Sequence, residues 1–166
     1  MTPKERRNRL FKKSRPHIRP FASTDMGWLW AAYKAGSFQL PETLTQEEFT
    51  KHMLTALNGP THYLIEDHNI KFKEKYGPVG LIAVVSEGDQ IEPAVAVFKW
   101  ATPRNVLRGF VGFFNWVKNT HVGECVVKVS AKDKLMKKCV DYGVIYPRSM
   151  QIVYGVRGRS AKLEKA

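Results

Sequence analysis

Two arginines in the second half of the chain have the type and spacing to hold a phosphate group. Arg104 and Arg108 lie four residues apart, on one face of a helix that Thr102 and Pro103 are predicted to start. Guanidinium groups form paired contacts with phosphate oxygens. The spacing therefore indicates a candidate anion site on the first turns of this helix.

Two glycines in the same predicted helix allow two interpretations. Gly109 and Gly112 share a helical face with Trp116. Glycine lets a backbone approach a phosphate closely, and it equally lets a helix lie close against a sheet. Cofactor binding and packing both stay open for these two residues.

The sequence lacks the residue patterns of a metal site, a nucleotide-hydrolase site or a serine-hydrolase site. The histidines form no pair at metal-ligand spacing with cysteine or carboxylate residues, so no metal site is expected. The sequence has neither a phosphate-binding loop of the nucleotide-hydrolase type nor a nucleophile elbow. The histidines are His17, His52, His62, His68 and His121.

The charge of the chain is concentrated at its two ends. The 27 Lys and Arg against 15 Asp and Glu give a net charge of +12. Residues 1–20 carry +7 of this and residues 155–166 carry +3, which leaves +2 for the rest. The basic ends are either solvated tails or contacts for a polyanion such as nucleic acid, or for a neighbouring protein. The candidate contact residues are Arg6, Arg7, Arg9, Lys12, Lys13, Arg15, Arg157 and Arg159.

The composition predicts one folded domain between two basic ends. The chain has 166 residues, of which 43% are apolar, enough for one buried core. We expect a basic N-terminal arm at 1–16, a domain at 17–156 and a basic tail at 157–166. No apolar run is long enough for a membrane span, and the first 20 residues are too polar for a secretion signal. Two cysteines make no disulfide framework, which favours a reducing intracellular compartment.

The pattern of apolar residues predicts the order of the elements. Thr45 and Glu48 form a capping box before a helix, and Glu87-Gly88-Asp89 is typical of a hairpin turn. Strands are predicted at 17–21, 62–66, 78–86, 94–100, 124–129 and 150–156. Helices are predicted after residues 25, 45 and 102 and at 132–141.

This order, together with two short motifs, resembles the GNAT superfamily of acyl-CoA N-acyltransferases. The motifs are Ile18-Arg19-Pro20-Phe21-Ala22-Ser23-Thr24-Asp25 and Lys137-Lys138-Cys139-Val140-Asp141-Tyr142-Gly143-Val144. The resemblance implies an α+β fold, with a mixed, mostly antiparallel sheet of about six to seven strands and about four flanking helices. In scale and divergence the chain is also similar to GNAT-like internal virion proteins of short-tailed phages.

The resemblance implies a site for the CoA pyrophosphate between the fourth strand and the following helix. The family pattern there is Gln or Arg, two residues, Gly, one residue, then Gly or Ala. Anchored on Pro103, this pattern falls on Val106, Gly109 and Val111, of which only Gly109 matches. Arg104, Arg108 and Gly112 complete the candidate cofactor residues, with acetyl-CoA as the cofactor if the protein is an enzyme.

The catalytic positions of the family also depart from its pattern. Cys139 stands where many members have a tyrosine that protonates the departing thiolate, and Lys132 stands where an asparagine is frequent. Tyr142 replaces that tyrosine only if the helix end is distorted. Candidates for the general base that accepts the amine proton are Glu92, Glu66 and His68.

Three functions therefore remain open. The first is a GNAT-fold protein without acetyl transfer, a structural or interaction component, of a phage particle for example. The second is a divergent acetyl-CoA-dependent N-acetyltransferase. The third is a non-specific DNA- or RNA-binding module that works through its basic ends. No base-reading motif accompanies those ends.

Overall fold

A seven-stranded mixed sheet organises the part of the chain that the structure describes. The computed structural model describes residues 1–38, 40–41, 43–58, 61–72, 75–88, 90–120, 123–128, 133–149 and 153–157. Within these ranges the strand order is β1-β2-β3-β4-β5-β7-β6. The strands are β1 (His17–Pro20), β2 (Thr61–Phe72), β3 (Lys75–Glu87), β4 (Gln90–Val97), β5 (Glu124–Lys128), β6 (Tyr146–Ser149) and β7 (Val153–Arg157).

Helices cover both faces of this sheet. They are α1 (Pro3–Leu10), α2 (Met26–Lys34), α3 (Gln46–Ala56), α4 (Pro103–Thr120) and α5 (Lys134–Asp141). Successive strand residues point to opposite faces. On β2, Leu64 joins the core cluster beneath α2 and α3, whereas Ile65 joins the cluster beneath α4 and α5. Two apolar layers therefore hold the sheet between two pairs of helices.

The sequence-based expectation of an α+β, GNAT-like fold with a mostly antiparallel sheet is confirmed. Two elements were not expected. Helix α1 lies in the predicted basic arm, and β6 is a short strand at the edge of the sheet. Pro147 lies in β6, and an edge strand tolerates a proline because its outer side needs no ladder hydrogen bond.

Strands β4 and β5 separate soon after they begin. They are the parallel pair of the sheet, and they pair at Gln90 with Glu124 and at Ile91 with Cys125. Beyond these residues β5 stays paired with β7 and β4 with β3. The two strands thus form a V that opens toward the start of α4.

Helix α1 packs on the α4 and α5 side of the molecule. Leu10 and Phe11 are buried in the same core cluster as the residues of α4. Arg7 Nη1 donates a hydrogen bond of 2.6 Å to the carbonyl oxygen of Tyr142, at the end of α5. The first eleven residues therefore form a docked helix, while the division of the chain at residue 16 stays a prediction.

A charged network joins β1 to the helices that follow it. The Arg19 guanidinium donates to both carboxylate oxygens of Asp25, at 2.7 and 2.6 Å, and its Nε donates to Glu66 Oε1 at 2.6 Å. Asp25 also accepts from the backbone N–H of Ala22. The hydrogen bonds from Arg19 hold the pKa of Asp25 below its ordinary value.

Replacing Asp25 with alanine is expected to lower the free energy of unfolding by about 2 kcal/mol, because Arg19 and the Ala22 N–H lose their acceptor. The lowered pKa means that the charge-dependent stabilisation is present above the unfolded pKa of about 3.9. It is lost as the pH falls through the still lower pKa of the folded state. Urea unfolding of the wild-type chain and of Asp25→Ala, at pH 7 and below pH 4, measures the difference in their free energies of unfolding.

The exposed Glu47, which pairs with Lys51 at 3.7 Å, supplies the matched control. Glu47→Ala is expected to change the free energy of unfolding by less than about 0.5 kcal/mol. Equal losses in the two variants, or a difference that grows in acid, would contradict the assignment of Asp25.

Candidate functional site at the start of helix α4

Helix α4 begins with a cap made by its own side chains. Thr102 Oγ1 accepts a hydrogen bond of 3.2 Å from the N–H of Asn105 and donates one of 2.5 Å to Asn105 Oδ1. The N–H of Thr102 donates to the same Asn105 oxygen at 3.4 Å. Pro103 at the first helical position has no N–H to offer. The cap satisfies the N–H of Asn105, one of the amides that an exposed helix start would present to an anion.

The loop from β4 into α4 also donates its amides to the protein itself. Phe98 donates to the carbonyl of Val79, Ala101 to that of Phe98, and Lys99 to Ser37 Oγ at 3.0 Å. Within the described chain, the N–H groups of this region that donate to protein acceptors are those of Phe98, Lys99, Ala101, Thr102, Asn105 and Val106. These amides are therefore engaged in contacts within the protein.

Arg108 lies inside the protein, where it forms a buried ion pair. Its side chain is 3% exposed and that of Asp67 on β2 is 0% exposed. Nε donates to Asp67 Oδ2 at 2.9 Å and Nη2 donates to Oδ1 at 3.2 Å. Nη1 donates to the carbonyl of Leu10, and Nη2 donates to that of Ser14 at 2.8 Å. The ring of Phe11 lies 5.9 Å from the guanidinium carbon.

These contacts give Arg108 a structural role, whereas the role predicted from the sequence was cofactor binding. Its donors hold β2 and the chain after α1 together, so a role in cofactor binding stays a prediction. No sequence pattern singled out Asp67. The signal that could have identified Asp67 is its position as a carboxylate next to the apolar residues of β2. Nothing in the sequence indicates that it pairs with an arginine 41 residues away.

Arg104, one turn earlier, is exposed and lines a basic cavity. The cavity has a volume of about 600 Å³ and lies between the end of α1 and the start of α4. We call it the α1–α4 groove. Its lining residues are Arg9, Leu10, Lys12, Lys13, Thr102, Arg104, Asn105 and Arg108.

The glycines of α4 lie at packing contacts within the helix. A Cβ at Gly109 would lie 3.2 Å from Cγ1 of Val79, and one at Gly112 would lie 3.2 Å from Pro16. Val106 and Val111 also lie inside α4, and Val111 is fully buried. The positions matched to the family's loop pattern therefore fall one or more turns into the helix. Their predicted contact with a cofactor stays untested.

The two thiols are buried in the core. Cys139 and Cys125 are both 0% exposed. Burial, and secondarily the charge of Asp133, raises the pKa of Cys139 to about 12. Burial raises the pKa of Cys125 to about 12 as well, with smaller contributions from Glu124 and Glu92. Both cysteines are therefore protonated packing residues at neutral pH.

The other predicted catalytic residues are not brought together at one point. Tyr142 is the C-cap residue of α5, with its carbonyl bound by Arg7. Glu92 is exposed on β4, opposite Val85 of β3. Glu66 accepts a hydrogen bond from Arg19. Their roles as proton donor or base stay predictions.

Several predicted residues lie outside the described part of the chain. Lys132 and Arg159 do so entirely, and the side chains of His68 and Arg157 do so as well. Of the remaining basic residues, Arg6 is exposed on α1, and the Arg15 guanidinium carbon lies 5.8 Å from the ring centre of Phe11.

Two other kinds of site have no candidate within the described ranges. No group of three or more His, Cys, Asp or Glu residues there is placed to hold a metal ion. No helix among the described residues has both the length and the apolar character needed to cross a membrane.

The strand order, the parallel pair that separates into a V, and the helix that leaves its fourth strand define the fold of the GNAT N-acetyltransferases. A scan of the sequence against protein-family models finds no match. No curated protein sequence matches either. The likeness is one of structure alone.

Solved acetyltransferases are similar over almost their whole length. RimL, a ribosomal L7/L12 α-N-protein acetyltransferase in complex with coenzyme A, has a TM-score of 0.60 and 10% identity over 89% of this chain and 97% of that chain. Spermidine N-acetyltransferase from Vibrio cholerae, in complex with CoA and spermine, has a TM-score of 0.54 and 9% identity over 88% and 97%. A putative acetyltransferase from T. thermophilus has a TM-score of 0.54 and 15% identity over 93% and 95%.

Replacing Arg108 with glutamine is expected to lower the free energy of unfolding by about 3–5 kcal/mol, because Asp67 stays buried without its arginine. The exposed Arg104 supplies the control, and Arg104→Gln is expected to change stability by no more than about 0.5 kcal/mol. Urea unfolding measures both. A stable Arg108 variant would show that this ion pair contributes little to the stability of the fold.

The thiols are expected to resist modification in the native protein. Ellman's reagent should titrate both cysteines promptly in guanidinium chloride and should react only slowly with the folded chain at pH 8, because burial disfavours the thiolate. Cys139→Ala, which leaves Cys125 alone, should behave in the same way with one thiol. Rapid reaction of one thiol in the folded protein would show that Cys139 or Cys125 is accessible and reactive, contrary to this expectation.

Proposed function

We propose that this chain is an acetyltransferase-fold protein that does not transfer acetyl groups and that serves as a structural or interaction component. The observation that carries the proposal is the self-capped start of α4. Pro103 has no N–H and Thr102 accepts the hydrogen bond of the Asn105 N–H, so the first turn of α4 offers fewer amides to an anion than a helix start without these residues.

Coenzyme A fits this site poorly. GNAT enzymes hold the pyrophosphate of CoA on backbone amides between the fourth strand and the next helix. Here the N–H groups of Phe98, Lys99, Ala101 and Thr102, between β4 and α4, donate to acceptors within the protein, and so does that of Asn105. A cofactor phosphate would have to displace these hydrogen bonds, and each displaced contact lowers the affinity.

The residue in the family's proton-donor position supports the same proposal. A thiol with its pKa raised to about 12, as burial does for Cys139, is a weak acid. Transfer of its proton to a departing thiolate of ordinary pKa is therefore uphill. Cys139 is also fully buried, so no departing group reaches it without an opening of the core.

The partners that we propose are nucleic acid or neighbouring proteins of an assembly, reached through the basic residues of the N-terminal segment. This segment carries most of the net charge, and α1 displays it from a docked helix. Location in a phage particle stays a prediction that rests on the resemblance described above.

An active N-acetyltransferase is the second candidate. The observation in its favour is the α1–α4 groove, where Arg104 in the first turn of α4 lies with three further exposed cations, Arg9, Lys12 and Lys13. This arrangement supplies positive charge in the region where the fold binds a pyrophosphate, although from side chains and not from amides.

A titration with acetyl-CoA separates the two candidates. We expect no saturable heat in isothermal titration calorimetry up to millimolar acetyl-CoA, because the amides of the loop before α4 are occupied. We also expect no acetylated product by mass spectrometry when spermidine or an N-terminal peptide is added. A neutral-pH assay with RimL is a suitable positive control.

Stoichiometric binding at micromolar acetyl-CoA would contradict the proposal. If Arg104→Gln then abolished that binding while Lys118→Gln at the far end of α4 did not, the second candidate would replace the first. Acetyl transfer by the wild-type chain would have the same meaning.

A further inference from the structure

Four cationic side chains line the α1–α4 groove without an ion-pair partner in the described part of the chain. They are Arg9 at the end of α1, Lys12 and Lys13 just after it, and Arg104 in the first turn of α4. All four are exposed. Like charges repel when they gather around one cavity. An anionic ligand in the groove would relieve this repulsion.

The protein holds this cluster in place through buried contacts. Arg108 donates to the carbonyls of Leu10 and Ser14, on either side of Lys12 and Lys13. Leu10 and Phe11 are buried beneath the same segment. The cations come from two parts of the chain that are about 90 residues apart, so the cluster exists only in the folded protein. A held site loses less side-chain freedom on binding than a flexible tail does.

We propose that the α1–α4 groove binds the phosphodiester backbone of nucleic acid. The proposal rests on the non-catalytic function proposed above, and it gives that function a site and a ligand. Phosphate groups match unpaired Lys and Arg side chains in charge and in hydrogen-bonding capacity.

The side chains of the groove offer positive charge to phosphate groups but no means of recognising particular bases. Asn105, whose side chain is the type that reads adenine, has its oxygen bound by Thr102. Among the described residues that line the groove, none has an aromatic side chain for base stacking. Binding is therefore expected to be independent of sequence.

A membrane surface is a poorer partner for the same charges. A helix that lies in a membrane interface needs exposed apolar side chains on one face. The apolar residue at the end of α1, Leu10, is buried in the core. The large apolar residues that are exposed among the described residues are Met1, Leu54 and Val85, none of which lines the groove.

The number of cations sets the expected salt dependence. Four phosphate contacts predict a slope of about −3.6 for the logarithm of the binding constant against the logarithm of the salt concentration on duplex DNA. The affinity would then fall about 150-fold between 50 and 200 mM salt. Fluorescence anisotropy with a fluorescein-labelled 20-base-pair duplex of arbitrary sequence measures this slope on the full chain.

Variants of the groove test the site. Lys12→Gln with Lys13→Gln is expected to bring the slope to about −1.8, and Arg104→Gln alone to about −2.7, because each change removes phosphate contacts. The matched control is Lys51→Gln with Lys118→Gln, exposed lysines on α3 and at the far end of α4. We expect the control to keep the wild-type slope. Circular dichroism verifies that each variant is folded.

Four results would overturn the proposal. Equal changes of slope in the groove and control doubles would assign binding to net charge alone. An unaltered slope in Arg104→Gln would assign it to the N-terminal segment without the groove. The absence of binding at 50 mM salt would remove the ligand. Tighter binding to phosphatidylserine vesicles than to the duplex would replace nucleic acid with a membrane.

The failure of this proposal is distinguishable from that of the proposed function. If equimolar acetyl-CoA displaces the duplex, the groove is a cofactor site and both proposals are wrong. If acetyl-CoA neither binds nor displaces, and the groove variants match the control, then only the nucleic-acid site is wrong.

Discussion

The ion pair between Arg108 and Asp67 holds together three parts of the chain that are distant in sequence. Asp67 belongs to β2, Arg108 to α4, and the carbonyls of Leu10 and Ser14 to the segment after α1. A buried charge is tolerated only when its hydrogen bonds are made, and here each nitrogen of the guanidinium has an acceptor. Together with the burial of Leu10 and Phe11, this ion pair fixes the segment after α1 against α4 and so shapes the α1–α4 groove.

Near this ion pair, the amides at the start of α4 can either bind an anion or donate to acceptors within the protein. A helix start beneath separated strands binds an anion well only if its amides are left without partners. Thr102, Asn105 and Ser37 supply those partners here. The start of α4 is thereby stabilised by hydrogen bonds within the protein. The positive charge near it lies on the side chains of Arg9, Lys12, Lys13 and Arg104.

Much of the architecture was predictable because it depends on local patterns. Alternation predicted the central strands, and the Thr45 and Glu48 capping box starts α3 as expected. Helix α1 was missed, because its sequence is strongly polar and its docking relies on Leu10. The role of Asp25 was also predicted only in part. Its carboxylate accepts hydrogen bonds from Arg19 and from the N–H of Ala22, and it makes no capping hydrogen bond to α2.

The candidate site was harder to predict than the fold. Arg104 and Arg108 have the same residue type and lie on one helical face, yet one is exposed and the other is fully buried. The difference comes from Asp67, which is near Arg108 only after the sheet has formed. The roles of Gly109 and Gly112 also depend on a neighbouring surface, Val79 for one and Pro16 for the other. Sequence spacing carries no information about such partners.

The docking of α1 also bears on the order in which the molecule assembles. Its contacts reach residues 98 and 135 positions further along the chain, so they are among the most non-local in the protein. Helix α1 precedes the other described helices in the chain, but its binding surface is complete only when the end of α5 is in place. Long loops must close before such contacts form, which slows folding. The docking of α1 is therefore expected late in the folding of the chain.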